Sequence, residues 1–203
     1  LNAAADYAAA REALTKPLPA YVAYVSHTQA SFGPFKHDDT RHIVVRTSDG
    51  KVVSGELSSV HISANSTYAS DVMTHPIFEP DCYAATGARS AEFEGKTVEA
   101  LSLRYTCHSN AGDHEKDFKT LYVDPVTHDP IAAVEQDGDS HMDAFLAQHY
   151  TRAGEHVVPS VLDVRVKGSG YLAWLDITVH QVYSGVSFSD HGPLPSAAAS
   201  STP

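Results

Sequence analysis

The chain has 203 residues and a formal charge of −11 with His neutral, from 14 Lys and Arg against 25 Asp and Glu. That length sustains a real core in one generous domain or two small ones, and 42% hydrophobic with 19% charged residues argues against disorder. The acidic balance argues against nucleic acid as the main partner, because phosphate binding asks for clustered Lys and Arg, and no apolar run reaches the roughly 18 residues of a membrane span.

Residues 2–15 (NAAADYAAAREALT) predict a helix, rich in Ala, with Asn2 as its cap and Ala5, Tyr7, Ala9 and Leu14 able to share a face. Lys16-Pro17-Leu18-Pro19 stops it, since Pro disfavours helical geometry in the residue before it. Residues 20–32 (AYVAYVSHTQASF) are β-branched and aromatic and predict a long strand, ended by Gly33-Pro34. Strands over 41–48 and 51–57 flank Ser48-Asp49-Gly50, and Asp-Gly between apolar runs is a strong hairpin signal. Residues 64–96 predict a long excursion or lid with little regular structure beyond one helical turn, small and polar at first, then marked by Pro76 and Pro80. Strands follow over 97–107, 117–124 and from Ile131 to 136, with turns at 109–116 and from Pro125 to Pro130. Further strands cover 144–151, 161–167 and 171–183, with Gly168-Ser169-Gly170 turning into the last. Residues 1–191 read as one domain and 192–203 as a low-complexity tail.

The sum is one helix and roughly eight or nine antiparallel strands at hairpin spacing, which is α+β by class and mostly β in content. Strands this long favour a strongly curved sheet or barrel. A lone apolar helix ahead of such a sheet packs on its concave side, because that face has to be covered.

Cys82 and Cys107 stand 25 positions apart without CxxC spacing. They read as one disulfide in an exported protein or as two buried thiols in a cytosolic one, and the disulfide is preferred. A chain that opens on Leu1 without Met reads as a cleaved or trimmed form, and export is an inference from it. Low Lys, two Met and many Ser, Thr, Tyr and Ala accord with export. Asn65-Ser66-Thr67 is a glycosylation triplet, read here as an ordinary polar loop.

Motifs for chemistry are missing: there is no GxSxG, no P-loop and no GxGxxG, and so no catalytic residue and no cofactor is expected. The 13 His would swing the charge from −11 towards +2 on full protonation. They cluster with acids at His37, Asp38, Asp39 and His42, at His108, Asp113, His114 and Glu115, and at Asp137, Asp139, His141 and Asp143. These read as solvated turns, and no metal is assigned. Period-2 alternation puts Tyr21 and Tyr24 on opposite faces of the first strand. In 171–183 it puts Tyr171, Ala173, Leu175, Ile177 and Val179 on one clean apolar face, against Leu172, Trp174, Asp176, Thr178 and His180 on the other. Tyr21, Tyr24, Tyr171, Leu175 and Ile177 are the candidate ligand-binding residues, with ordinary core as the plainer reading of the apolar face.

The runs LYVDPVTHDPIAAVEQ (121–136) and HVVPSVLDVRVKGSG (156–170), and the Ala-rich helix leading through LPAYVAYVSHTQASF (18–32), resemble the bacterial outer-membrane lipoprotein carrier and sorting superfamily. The resemblance implies an open, strongly curved antiparallel half-barrel with a helix in its concavity. It implies an exported, non-enzymatic binder or carrier of a hydrophobic, lipid-like ligand, periplasmic, at the cell envelope or extracellular. The alternative is a structural or assembly subunit that joins neighbouring chains by strand addition.

Overall fold

A computed structural model of the chain describes residues 2–55, 59–63, 66–69, 73–74, 76–107, 118–138 and 141–192. It opens on helix α1 (Ala3–Thr15). Asn2 caps it, its Oδ1 accepting a hydrogen bond from the Ala5 amide at 3.3 Å. The helix buries Asp6, Tyr7 and Ala10, with Ala13 and Leu14 against the same core. Ala5 is exposed, contrary to the expected face, because the buried stripe is centred on Tyr7 and Ala10 and leaves Ala5 on its far side.

Ten strands form one antiparallel sheet that does not close on itself. In chain order they are β1 (Tyr21–Phe32), β2 (Phe35–Arg46), β3 (Lys51–Ser54), β6 (Tyr83–Phe93), β7 (Lys96–Tyr105), β8 (Thr120–Val123), β9 (Pro130–Gly138), β10 (Met142–Ala153), β11 (His156–Gly168) and β12 (Asp176–Ser189). Between β3 and β6, a separate two-stranded sheet pairs β4 (Ser59–Ser63) with β5 (Ser66–Ala69). The order across the large sheet is β3-β2-β1-β12-β11-β10-β9-β8-β7-β6. Apart from the pairing of β1 with β12, strands adjacent in the sheet are also consecutive in the chain. The Asp49-Gly50 hairpin is present, with Gly50 at φ 64°, the left-handed geometry that favours Gly. The expected fold class holds: α+β, mostly β, an open half-barrel with the helix against β6, β9 and β11.

Several expected elements differ. The strand expected over 41–48 begins at Phe35, so His37, Asp38, Asp39 and His42 lie on β2 and not in a turn, and the strand expected over 161–167 begins at His156. The 64–96 excursion contains β6, an edge strand paired with β7 along its whole length. Its sequence YAATGARSAEF is small and polar, with no apolar alternation to read, and it is held by the stronger pattern of its partner. The strand expected over 171–183 starts at Asp176, after a 3-10 turn over Gly170–Leu172. Gly168 permits the turn: a Cβ there would lie 2.0 Å from the Leu172 carbonyl oxygen, so only a glycine allows this close approach. The expected turn at 109–116, the His108 to Glu115 cluster, Asn65 and the tail from Pro193 lie outside the described residues.

β3 and β6 are the two edges of the sheet, and the segment between them in sequence carries β4 and β5. The end of that segment enters the core. Met73 and Phe78 are buried, and the Ile77 amide donates to Gln148 Oε1 in mid-sheet at 3.1 Å. Phe78 packs on Tyr83 and Phe118 with ring centroids 5.0 and 5.2 Å away. Cys82 and Cys107 form the expected disulfide, Cα to Cα 4.9 Å, across the open end of the β6–β7 hairpin. Among the described residues no helix is long and apolar enough to cross a membrane.

Candidate ligand-binding face

The inner face of β2, β1, β12 and β11 is the candidate site. On β1 the burial alternates cleanly, with Val22, Tyr24, Ser26, Thr28 and Ala30 turned inward. Register sets Tyr24 beside Ile43 of β2, and Thr28 beside Gln181 and Ala30 beside Val179 of β12. Leu162 and Val164 of β11 extend the face. Most of it is apolar, but a polar row crosses its middle. Gln181 Nε2 donates to Ser26 Oγ at 2.8 Å, both side chains buried. Among the described residues, Thr28 Oγ1, fully buried, has no hydrogen-bond partner. A buried hydroxyl without a partner costs about 1–3 kcal/mol, so its place in the middle of an apolar face asks for an explanation.

The helix side of the concavity is tied by phenols and an amide. Tyr7 donates its hydroxyl to the Pro80 carbonyl at 2.6 Å. Gln148 Nε2 donates to the Tyr150 hydroxyl at 2.9 Å. Burial pushes both phenols above the ordinary tyrosine range, so they stay neutral and act as structural ties.

The sequence-predicted residues divide. Tyr24 and Ile177 lie on the inner face and are buried, and Tyr24 meets Tyr183 edge to face at 6.0 Å. Tyr21 is on the opposite side of β1, half-buried. Leu175 is half-buried just ahead of β12. Tyr171 is 73% exposed on the 3-10 turn, its ring 4.9 Å from that of His141, and Trp174 beside it is equally exposed. The turn breaks the alternation that was to join Tyr171 and Leu175 to Ile177. Residues the sequence reading passed over are Ser26, Thr28 and Gln181. The available signal was polar side chains at every second position among Val22, Tyr24 and Ala30.

The outer face carries a small apolar cluster of Ala132, Val134 and Ala147 under Phe93, Tyr122 and Phe145, and charged pairs beside it. Asp163 joins His180 at 2.7 Å and His149 at 3.5 Å, and Glu94 lies 3.9 Å from His149. His37 and Asp38 point to opposite faces of β2, and the described residues hold no group of three or more His, Cys, Asp or Glu placed for a metal ion.

No protein-family model matches the chain, and no curated protein matches it in sequence. Solved structures do share its architecture. A domain described as an outer membrane lipoprotein-sorting protein from Vibrio parahaemolyticus aligns over 94% of this chain and 95% of its own, at 11% identity and a TM-score of 0.54. A LolA-superfamily protein from Nitrosomonas europaea aligns over 96% of each chain at 12% identity and TM-score 0.44, and a DUF1329-family protein from Desulfovibrio piger over 93% of each at 9% and 0.47. The likeness read from the sequence is therefore present in the fold, which this chain shares with the lipoprotein-sorting domain across nearly its full length.

Proposed function

We propose that the protein is an exported, non-enzymatic binder or carrier of a lipid-like ligand at the cell envelope. One observation carries the reading: the open sheet turns inward an apolar face crossed by a polar row, with the buried Thr28 hydroxyl unpaired. An acyl chain with a polar group suits such a face, the chain on Val22, Tyr24, Val179 and Ile177 and the polar group at Ser26, Thr28 and Gln181; all seven are buried in the ligand-free chain, so a ligand has to displace what covers them. Leu175 and Tyr171 then stand at the rim, and Tyr21, on the other side of β1, takes no part. The shared fold with a lipoprotein-sorting domain and the disulfide, which persists in oxidising compartments, support the same reading.

Native mass spectrometry of the non-reduced protein, purified without detergent, tests it. A monomer carrying an extra lipid-sized mass that Thr28→Val weakens is the expected result. A protein that stays ligand-free and takes up no added long-chain fatty acid refutes it. A ligand-free oligomer favours the second reading, an assembly subunit. That reading has one observation of its own, the 11-residue strand β6 at the sheet edge.

A further inference from the structure

Neighbouring connections meet at one end of the sheet. The β1–β2 turn at Gly33-Pro34 lies against the start of β12, where the Gly33 amide donates to the Asp176 carbonyl at 2.9 Å. The β11–β12 connection is closed by the Gly168 amide on the Leu175 carbonyl at 2.8 Å, and the Ser169 amide ties it to the His141 carbonyl, just ahead of β10, at 2.8 Å. Among the described residues five large hydrophobic side chains are exposed, and three of them, Phe35, Tyr171 and Trp174, stand at this end. The other two, Val53 on β3 and Val126 in the β8–β9 turn, stand singly elsewhere. A lone exposed apolar side chain is ordinary, but three aromatic rings gathered by backbone ties mark a surface.

The chemistry and charge of this end suit a lipid surface. The rings sit on turns and at a strand start, where they can enter a soft interface ahead of the backbone. Trp and Tyr join an apolar body to a polar tip, the combination enriched where a bilayer meets water. The outermost rows of β2, β1, β12, β11 and β10 carry Lys36, Arg165 and Lys167 against Asp143 and Asp176. With Asp137 and Asp139 counted from the sequence, this end still lies within one charge of neutral, on a chain of −11. A zwitterionic headgroup layer therefore meets no net repulsion here and finds exposed lysines for its phosphates.

We propose that Phe35, Tyr171 and Trp174 form a membrane-docking end that seats the sheet, end-on, in the headgroup layer of a zwitterionic bilayer. The three rings enter the interface, while Lys36 and Lys167 lay their stems along the apolar surface and their ammonium groups against lipid phosphates. The end runs on into the apolar inner face: Phe32 of β1 pairs with the buried Ile177, and Ala30 with the buried Val179. Leu172 and Leu175, half-buried, belong to the same connection as Tyr171 and Trp174. An acyl chain drawn from the bilayer reaches the candidate site by the strand end where Ile177 stands. That last step rests on the carrier reading, whereas docking stands whatever the concave face binds.

Trp174 is the only tryptophan of the chain, so its emission reports on this end alone. The protein is titrated with phosphatidylcholine vesicles, plain or brominated in the acyl chains, and binding is measured in parallel by flotation. The expected result is a blue shift, quenching by the brominated lipid, and flotation with the vesicles. Phe35→Ser and Tyr171→Ser, both at exposed positions, each lower the vesicle partition coefficient about tenfold with far-UV circular dichroism unchanged. Either variant alone suffices should the other not fold. A wild type that floats but takes up no free long-chain fatty acid refutes the carrier reading and leaves docking standing. One that takes up fatty acid without floating overturns docking alone. Serine variants that float as the wild type does overturn docking too. So does a blue shift that grows with protein concentration in the absence of vesicles, which makes this end a contact between copies of the chain.

Discussion

Replacing Cys82 and Cys107 by Ala cuts a bridge that spans 25 positions and closes a hairpin already held by the full β6–β7 ladder. The native hairpin keeps other ties at that end, since the Thr106 amide donates to the Cys82 carbonyl at 2.8 Å. Little native structure is therefore lost, and the cost falls on the unfolded chain, which regains the freedom of an open loop. Loop-closure entropy for that separation is worth about 3.5 kcal/mol at 25 °C. Unfolding entropy for a chain of this length turns that into a fall in Tm of about 8 °C. A urea slope of about 2 kcal/mol per molar turns it into a midpoint about 1.7 M lower. Urea unfolding of the oxidised wild type, the reduced wild type and the double variant measures it, followed by far-UV circular dichroism. The reduced wild type and the variant should coincide. A loss under about 1 kcal/mol would refute the argument, because the unfolded hairpin would then be as restricted without the bridge as with it.

Phe78→Ala removes a fully buried ring from between Tyr83 and Phe118 and should cost about 3–5 kcal/mol in urea unfolding, with Phe78→Leu costing clearly less. Thr28→Val exchanges an unpaired buried hydroxyl for a methyl of the same shape and should raise stability of the ligand-free protein by about 1 kcal/mol. A loss instead would mean that the hydroxyl has a partner in solution. The Arg46 guanidinium holds the Asp49 carboxyl at about 2, below the ordinary carboxylate range. Its stabilisation is present above that range and is lost as pH falls towards 2. The Tm gap between the wild type and Asp49→Asn should therefore be constant from pH 5 upward and close at low pH. A gap that persists in acid would show that Asp49 acts by something other than its charge.

What the sequence made legible follows from how each element is specified. The helix, the Asp49-Gly50 hairpin and the strand around Tyr24 are specified locally, by Ala content, by turn chemistry and by period-2 alternation, and each stands where it was expected. The cysteine pair was legible because two thiols in a chain of exported texture leave few alternatives. Strand β6 was not legible, because an edge strand with one neighbour can be built from Ala, Ser, Thr and Gly and borrows its conformation from Leu101 and Leu103 across the ladder. The start of β12 was misplaced for a similar reason. The alternation from Tyr171 to Val179 is real in the sequence, but the chain turns at Gly170–Leu172 first, and the bare Gly168 lets its backbone approach the Leu172 carbonyl.

The candidate site shows the same limit in sharper form. Sequence alternation selects apolar residues as the inner face and treats polar ones among them as noise. On β1 the polar ones carry the information. Ser26 and Thr28 share the inner face with Val22, Tyr24 and Ala30, and only register shows that Gln181 completes their row from a strand about 150 positions later. A face meant only as core would gain stability by replacing Thr28 with Val. Retaining a hydroxyl there is a cost to the empty protein, and a ligand with a polar group is the kind of partner that would offset it. The Thr28→Val variant therefore separates core from site: greater stability with unchanged ligand uptake makes this face ordinary core, whereas greater stability with weakened uptake makes it the site.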